Sequence, residues 1–254
     1  MTSISRPEER WRNPLPAPSP YHASVRTLVL WDVDHTLIEA GGVSAGIYAS
    51  VFERLIGDPP EKVAAMAGRT DLAITTETLR HHGIDPTPAL LASFTTALAE
   101  TFATCSHEIA ARGRVLPGAH AALKALAARP DVVQSALTGN MEQIARVKLT
   151  AFGLTDLFDL DVGAYGMDGV ERPPLVRLAQ QRASGKYGNA FTASNTVLIG
   201  DTPHDVRAGH EGGARVVAVA TGATSAAALR LSGADLVLND LTDTPNVLQA
   251  ILPT

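Results

Sequence analysis

The chain has 254 residues, of which 45% are hydrophobic and 19% are charged, as in ordinary soluble globular proteins. Lysine and arginine total 21 and aspartate and glutamate 26, so the formal charge is −5 and a general nucleic-acid partner, which needs a basic surface, is not expected. No apolar run reaches the ~18 residues of a membrane span. The single cysteine, Cys105, excludes an intramolecular disulfide and fits a reducing compartment, so we expect a cytoplasmic protein.

The first 24 residues predict a tail. Four prolines lie between Pro14 and Pro20, which disfavours regular structure, and the segment lacks an apolar signal core. From Thr27 the run TLVLWDVD predicts a parallel strand buried on both faces. Similar runs predict further strands at 132–139, 157–164, 196–201, 215–222 and 234–240.

Helical patterns separate most of these strands, for example at 117–129 and 141–154. Alternating strands and helices predict an α/β fold, a Rossmann-like parallel sheet with helices on both faces. About 100 residues separate the first strand from the second, although a simple crossover needs only about a dozen. The intervening stretch looks helical, so we expect an inserted all-helical cap at 40–113 and a catalytic core formed by 25–39 and 114–254.

The strongest local signal follows the first strand. Residues two apart in an extended segment point to the same side, so Asp32 and Asp34 are expected to face one site. A carboxylate pair at the end of a buried strand indicates a functional site, with a helix cap or turn as the structural alternative.

A second carboxylate pair follows the run TVLIGD. Asp201 ends this strand and Asp205 comes four residues later, so both would reach the same edge of the sheet as the first pair. Four crowded carboxylates repel one another, and Mg²⁺ prefers such oxygen ligands. The alternative for Asp205 is a simple cap on the following helix.

Two further segments supply groups that can hold an anion. Thr138, Gly139 and Asn140 end a strand and begin a helix, where a hydroxyl and free N–H groups form an anion site, although the same residues are common in ordinary turns. Arg172 precedes a helix that begins with two prolines, and its guanidinium either clamps a phosphoryl group or is merely solvated.

These four blocks, in this order, resemble the haloacid dehalogenase-like hydrolase superfamily, and especially its phosphoglycolate-phosphatase-like branch with a helical cap. The resemblance covers about 27–240. It implies a phosphatase that hydrolyses a small phosphate ester through an aspartyl-phosphate, with Asp32 as nucleophile and Asp34 as general acid/base. Dehalogenases of the superfamily lack a carboxylate at the second position because they have no alkoxide to protonate.

The resemblance also implies the other roles. Thr138, with Gly139 and Asn140, binds phosphate, and Arg69 in the segment GRTD (68–71) contacts phosphate or substrate. The metal is Mg²⁺, and its expected ligand positions are Asp32, Asp34 through its backbone carbonyl, Asp201, and Asp205, often through water.

One position departs from the family pattern, which usually has lysine where this chain has Arg172. Lys148, in the preceding helix, is the nearest rival, at a place where a family lysine is commonly structural. Two alternatives to a phosphatase remain: a sugar-phosphate mutase with the same nucleophile, and a non-catalytic member of the fold. The sequence does not identify the substrate or the oligomeric state.

Overall fold

A computed structural model describes residues 27–252 of the chain, and the predicted tail at 1–24 lies outside the described residues. The centre of the described part is a five-stranded sheet in the order β4-β1-β5-β6-β7, in which every neighbouring pair is parallel. Its strands are β1 (Thr27–Trp31), β4 (Val132–Ala136), β5 (Thr196–Gly200), β6 (Arg215–Val219) and β7 (Leu236–Leu238).

Ten helices and a short ribbon complete the described part. The ribbon pairs β2 (Ile38–Glu39) with β3 (Arg114–Val115) in antiparallel register. The helices are α1 (Val43–Ile56), α2 (Asp71–His81), α3 (Pro88–Thr104), α4 (Ser106–Arg112), α5 (Ala119–Ala127), α6 (Glu142–Ala151), α7 (Pro173–Tyr187), α8 (Pro203–Gly212), α9 (Ala226–Leu231) and α10 (Thr244–Ile251). None of these helices is long and apolar enough to cross a membrane.

The central strand β1 is buried on both faces because helices cover each side of the sheet. Leu28 and Leu30 pack with residues of α7 and α8. Val29 and Trp31 point the other way and pack with α5, α6 and α10. Every residue of β1 is buried, which explains its unbroken apolar sequence. The predicted Rossmann-like α/β fold is therefore confirmed.

Helices α1 to α4 lie between the two strands of the ribbon, where the sequence predicts an inserted cap. They share an apolar cluster that includes Phe52, Phe94 and Phe102, and Met141 and Ile144 from the start of α6 join it. The helical segment thus rests on the part of the sheet domain that follows β4. Its exact division from the core at 40 and 113 stays a prediction.

The strand predicted at 157–164 is wrong. Two short 3₁₀ helices, Thr155–Leu157 and Leu160–Val162, occupy this segment, and Ala164 alone forms a bridge, with Leu137. The apolar run is interrupted by two aspartates: the Asp159 carboxylate accepts a hydrogen bond from the Asp161 N–H and pairs with Lys186. Asp side chains that bond to nearby backbone favour turns over strands, which explains the difference.

Candidate active site

The site lies at the carboxyl edge of the sheet, where three neighbouring strands end. Asp32 follows β1, Thr138 follows β4, and Asp201 follows β5. Because the strands are parallel and adjacent, the loops after them meet at one edge. All three residues line a cavity of about 420 Å³ that also touches the helical segment.

Three buried carboxylates converge at the floor of this cavity. Asp32, Asp201 and Asp205 each contribute one carboxylate oxygen to a group of three oxygens that lie within 4.8 Å of one another. The Thr36 hydroxyl donates to Oδ1 of Asp201 at 3.2 Å and so fixes that carboxylate. The expectation that the two acidic pairs reach one edge of the sheet agrees with this arrangement.

Asp205 caps the following helix, the alternative that the sequence left open, and its expected role as a metal ligand stays a prediction. Its Oδ2 accepts hydrogen bonds from the backbone N–H and the hydroxyl of Thr202, which forms a capping box at the start of α8. Its Oδ1 faces Arg172 and accepts no well-formed hydrogen bond within the described residues. The helix cap therefore holds Asp205 in place and leaves one oxygen directed into the cluster.

Arg172 is a buried part of this cluster. Its Nη2 lies 2.6 Å from Oδ1 of Asp205 and 3.3 Å from Oδ1 of Asp32, and it donates to the Leu137 carbonyl at 3.1 Å. Its side chain is only 5% exposed, so the interpretation as a solvated arginine is wrong. Burial of a guanidinium is tolerated here because two carboxylates face it.

The electrostatics of the cluster fit a divalent cation. Burial raises the pKa of Asp32 to about 8. The nearby Arg172 opposes this rise, and the carboxylates of Asp205 and Asp201 add to it. Burial and the Asp205 carboxylate raise the pKa of Asp201 to about 7. Four carboxylates face only two cationic side chains, Arg172 and Lys148, so full ionisation leaves two negative charges unbalanced. Oxygen donors with this charge suit Mg²⁺.

Asp34 points away from the three-carboxylate cluster. The Lys148 ammonium lies 2.8 and 2.7 Å from its two oxygens, and the Asn140 amide donates to Oδ2 at 2.7 Å. Burial opposes ionisation of Asp34, but the nearby Lys148 outweighs it and holds the pKa of this carboxyl below its ordinary value. The predicted contact of its backbone carbonyl with a metal stays a prediction.

The loop after β4 brings the helical segment into contact with the sheet domain. Gly139 is required there because a side chain would overlap the Arg69 carbonyl. The Asp71 N–H donates to the Gly139 carbonyl at 2.7 Å, and the Met141 N–H donates to Oδ2 of Asp71 at 2.7 Å. In addition, the Thr138 hydroxyl accepts from the Asn140 amide at 2.9 Å.

Arg69 lines the cavity as the sequence predicts, but its guanidinium is engaged. Its Nη2 lies 2.6 Å from Oε2 of Glu77, and its Nη1 donates to the Ala65 carbonyl at 3.4 Å. Whether it contacts substrate stays a prediction. The same segment contributes Asp71, whose Oδ1 accepts from the Tyr48 hydroxyl at 2.6 Å.

Sequence reasoning named Lys148 only as the rival of Arg172, and it gave no role to Asp71, Tyr48 or Phe102, which also line the site. The sequence does indicate that Lys148 is buried. It lies four residues after Ile144 on a helix and so on the same apolar face. A lysine on such a face needs a buried anionic partner. No comparable signal marked Tyr48 or Phe102, since aromatic residues on an amphipathic helix indicate core packing.

The comparisons with known proteins agree with this geometry. Residues 170–244 match the profile of the HAD-hydrolase-like family. The chain has the haloacid dehalogenase-like fold. The resemblance identified from the sequence is therefore confirmed, while none of the curated proteins compared with the chain matches it.

Solved structures that share this fold include three kinds of protein. A predicted phosphatase from Clostridium acetobutylicum is 19% identical, with a TM-score of 0.63 and coverage of 89% of this chain and 100% of its own. A protein assigned as a beta-phosphoglucomutase from Bacteroides vulgatus is 21% identical, with a TM-score of 0.62 and coverage of 91% and 93%. CbbY from Rhodobacter sphaeroides, in complex with phosphate, is 18% identical, with a TM-score of 0.62 and coverage of 85% and 95%.

Proposed function

We propose that this haloacid dehalogenase-like chain is a Mg²⁺-dependent phosphatase that hydrolyses a small phosphate monoester through an aspartyl-phosphate on Asp32. The observation that carries the proposal is the convergence of Asp32, Asp201 and Asp205 beside Arg172 at the edge of a cavity of about 420 Å³, which all but Asp205 line. Cavities of this size accommodate small-molecule ligands.

The metal would be held by the carboxylates of Asp32 and Asp201 and by Asp205. When bound, Mg²⁺ would neutralise charge on the phosphoryl oxygens. Arg172 and the Thr138 loop add fixed positive charge and hydrogen-bond donors around the same group. Loose phosphoryl transition states are stabilised chiefly by such positioning and charge.

The chemistry proceeds in two balanced steps. A carboxylate oxygen of Asp32 attacks phosphorus, the ester P–O bond breaks, and the leaving alkoxide takes a proton from Asp34. Because Lys148 favours the ionised form of Asp34, this carboxyl must gain its proton before the first step, and the water of the second step returns it. Asp34 then removes a proton from water, and the resulting hydroxide attacks phosphorus, which releases phosphate and restores the Asp32 carboxylate. Lys148 and Asn140 hold the Asp34 carboxylate in one orientation for both transfers.

We test the proposal with p-nitrophenyl phosphate, from which the wild-type chain is expected to release phosphate only when Mg²⁺ is present. Asp32→Asn removes the nucleophile and should abolish release, whereas Asp240→Asn, a control that changes an exposed acid outside the lining of the cavity, should leave the rate unaltered. An Asp32→Asn rate equal to that of the wild type would refute the assignment.

The mutase alternative shares this nucleophile and is supported by the structural neighbour assigned as a beta-phosphoglucomutase. It predicts slow hydrolysis and phosphoryl transfer within a hexose 1-phosphate that requires a sugar bisphosphate. Analysis of products distinguishes the two, since a phosphatase releases inorganic phosphate and a mutase releases an isomeric sugar phosphate. The expected location remains cytoplasmic, with which the unpaired Cys105 is compatible.

A further inference from the structure

The part of the cavity that faces the helical segment differs in chemistry from its floor. Its walls come from the turn before α1, from α1 and α2, and from α3. Apolar and small side chains dominate this half: Ala40, Ala45, Met66, Ala67, Ile74 and Phe102. The leaving group of a phosphate ester bound at Asp32 would occupy this half.

Every lysine and arginine that lines the cavity already has an anionic partner. Arg172 faces Asp32 and Asp205, Lys148 pairs with Asp34, and Arg69 pairs with Glu77. Arg69 is the one among them that belongs to the helical segment. A second anionic group on the substrate would have to displace Glu77 from Arg69 to gain a counterion.

This half of the cavity also has two acidic side chains, of which one makes no ion pair with a described residue and the other pairs with an exposed arginine. Asp71 is 5% exposed and makes no ion pair with a described residue, since its oxygens accept from the Tyr48 hydroxyl and the Met141 N–H. Glu39 also lines the cavity and pairs with Arg114, whose side chain is 69% exposed. Asp71 therefore offers no counterion to a carboxylate or second phosphate on the substrate, and its ionised form would repel such a group.

A hydroxyl group, by contrast, finds a partner. Ser44 lines the cavity, and its Oγ is buried with no hydrogen-bond partner in the described part of the chain. Leaving a buried polar atom unpaired is unfavourable. Because this oxygen has almost no accessible surface, a ligand hydroxyl bonds to it once the Ser44 side chain turns toward the cavity, and that bond would add affinity.

We infer that the site selects phosphate monoesters whose organic part is small, uncharged and hydroxylated, and that the Arg69–Glu77 pair and Asp71 exclude a second anionic group. The inference rests on the proposed phosphatase function. It also favours hydrolysis over the mutase alternative, because a sugar bisphosphate carries the second phosphate that this half of the cavity repels.

The experiment compares two esters of equal carbon number, glycerol phosphate and phosphoglycerate, with p-nitrophenyl phosphate as the measure of basic activity. In the wild type, kcat/KM for glycerol phosphate should be at least tenfold higher than kcat/KM for phosphoglycerate. One unfavourable charge contact of about 1.4 kcal/mol is enough to produce that ratio.

Glu77→Gln frees the Arg69 guanidinium, which should improve the turnover of phosphoglycerate. The ratio of the two kcat/KM values should therefore fall by about tenfold. Ser44→Ala should raise the KM for glycerol phosphate by more than it changes the KM for p-nitrophenyl phosphate.

Glu108→Gln is the matched control, because Glu108 also pairs with an arginine and is about as exposed as Glu77, but its partner Arg112 does not line the cavity, whereas Arg69 does. It should leave the substrate ratio unaltered. A wild-type preference for phosphoglycerate, or a Glu77→Gln ratio equal to that of the control, overturns the inference. Competitive inhibition of p-nitrophenyl phosphate hydrolysis by the two esters gives the same comparison without any variant. If no ester is hydrolysed at all, the proposed function itself fails.

Discussion

At the scale of single residues, Arg172 shows how a departure from a sequence pattern is accommodated. The family pattern has lysine at this position, and this chain places a guanidinium between two buried carboxylates. All three of its short contacts use one nitrogen, Nη2, while the buried Nε has no partner within the described residues. The arginine therefore uses only part of its donor set, which a lysine ammonium with three donors could match.

Arg172→Lys is accordingly expected to keep activity within about tenfold of the wild type, because one ammonium can meet the acceptors that Nη2 meets. Arg172→Met should lose about 100-fold or more in kcat, the usual effect of removing an electrostatic donor to the transition state. It should also lower the free energy of unfolding in the metal-free state by about 3 kcal/mol, since two buried carboxylates lose their counterion. Steady-state kinetics and urea unfolding measure these effects, and a lysine variant as inactive as the methionine variant would contradict the argument.

At the scale of elements, the start of α2 connects the helical segment to the sheet domain. Thr70 is the N-cap of α2, where its hydroxyl accepts from the Ala73 N–H and donates to the Val170 carbonyl at 3.0 Å. The next residue, Asp71, bonds to the loop after β4 through its backbone and its side chain. One helix terminus thus fixes the helical segment against the loop after β4.

Thr70→Ala should raise KM severalfold and lower the free energy of unfolding by about 1–2 kcal/mol, because it removes a cap and a bond between the two parts of the molecule. Thr87→Ala is the matched control, since Thr87 caps α3 in the same way, whereas only Thr70 of the two also donates to a carbonyl of the sheet domain, that of Val170. It should cost about 1 kcal/mol and leave KM unaltered. Equal KM values for the two variants would show that the contact of Thr70 with Val170 does not support substrate binding.

At the scale of the whole molecule, the acidic cluster makes stability depend on pH and metal together. Asp32 and Asp201 have pKa values raised from 3.8 to about 8 and about 7. The folded state therefore holds more protons than the unfolded state between about pH 4 and these values. Stability of the metal-free protein falls as pH rises through that window, because stability decreases with pH wherever the folded state binds more protons.

Saturating Mg²⁺ should reverse this loss, since the ion binds the ionised carboxylates. We expect Mg²⁺ to raise the melting temperature by roughly 5–10 °C at pH 8 and by much less at pH 5.5. Thermal unfolding with MgCl₂, against NaCl at equal ionic strength, measures the difference. An Mg²⁺ effect of the same size at both pH values would show that the cluster does not bind the metal in its ionised form.

The sequence by itself determined the fold and the acidic set of the candidate site. Buried parallel strands require unbroken apolar runs, and the strand ends at Asp32 and Asp201 follow from where those runs stop. The strand predicted at 157–164 is wrong because an aspartate within the apolar run bonds to nearby backbone, which favours a turn over a strand. The pattern of apolar residues alone does not show this competition.

Only the tertiary structure decided how charges pair around that set. Lys148 meets Asp34 across 114 residues of sequence, and Met141 meets Asp71 across 70. Such contacts depend on how the helical segment packs against α6, and local sequence patterns carry no information on distances between elements. For the same reason the partners of Arg172 and Arg69, on which the proposed binding of phosphate and choice of substrate depend, could be found only in three dimensions.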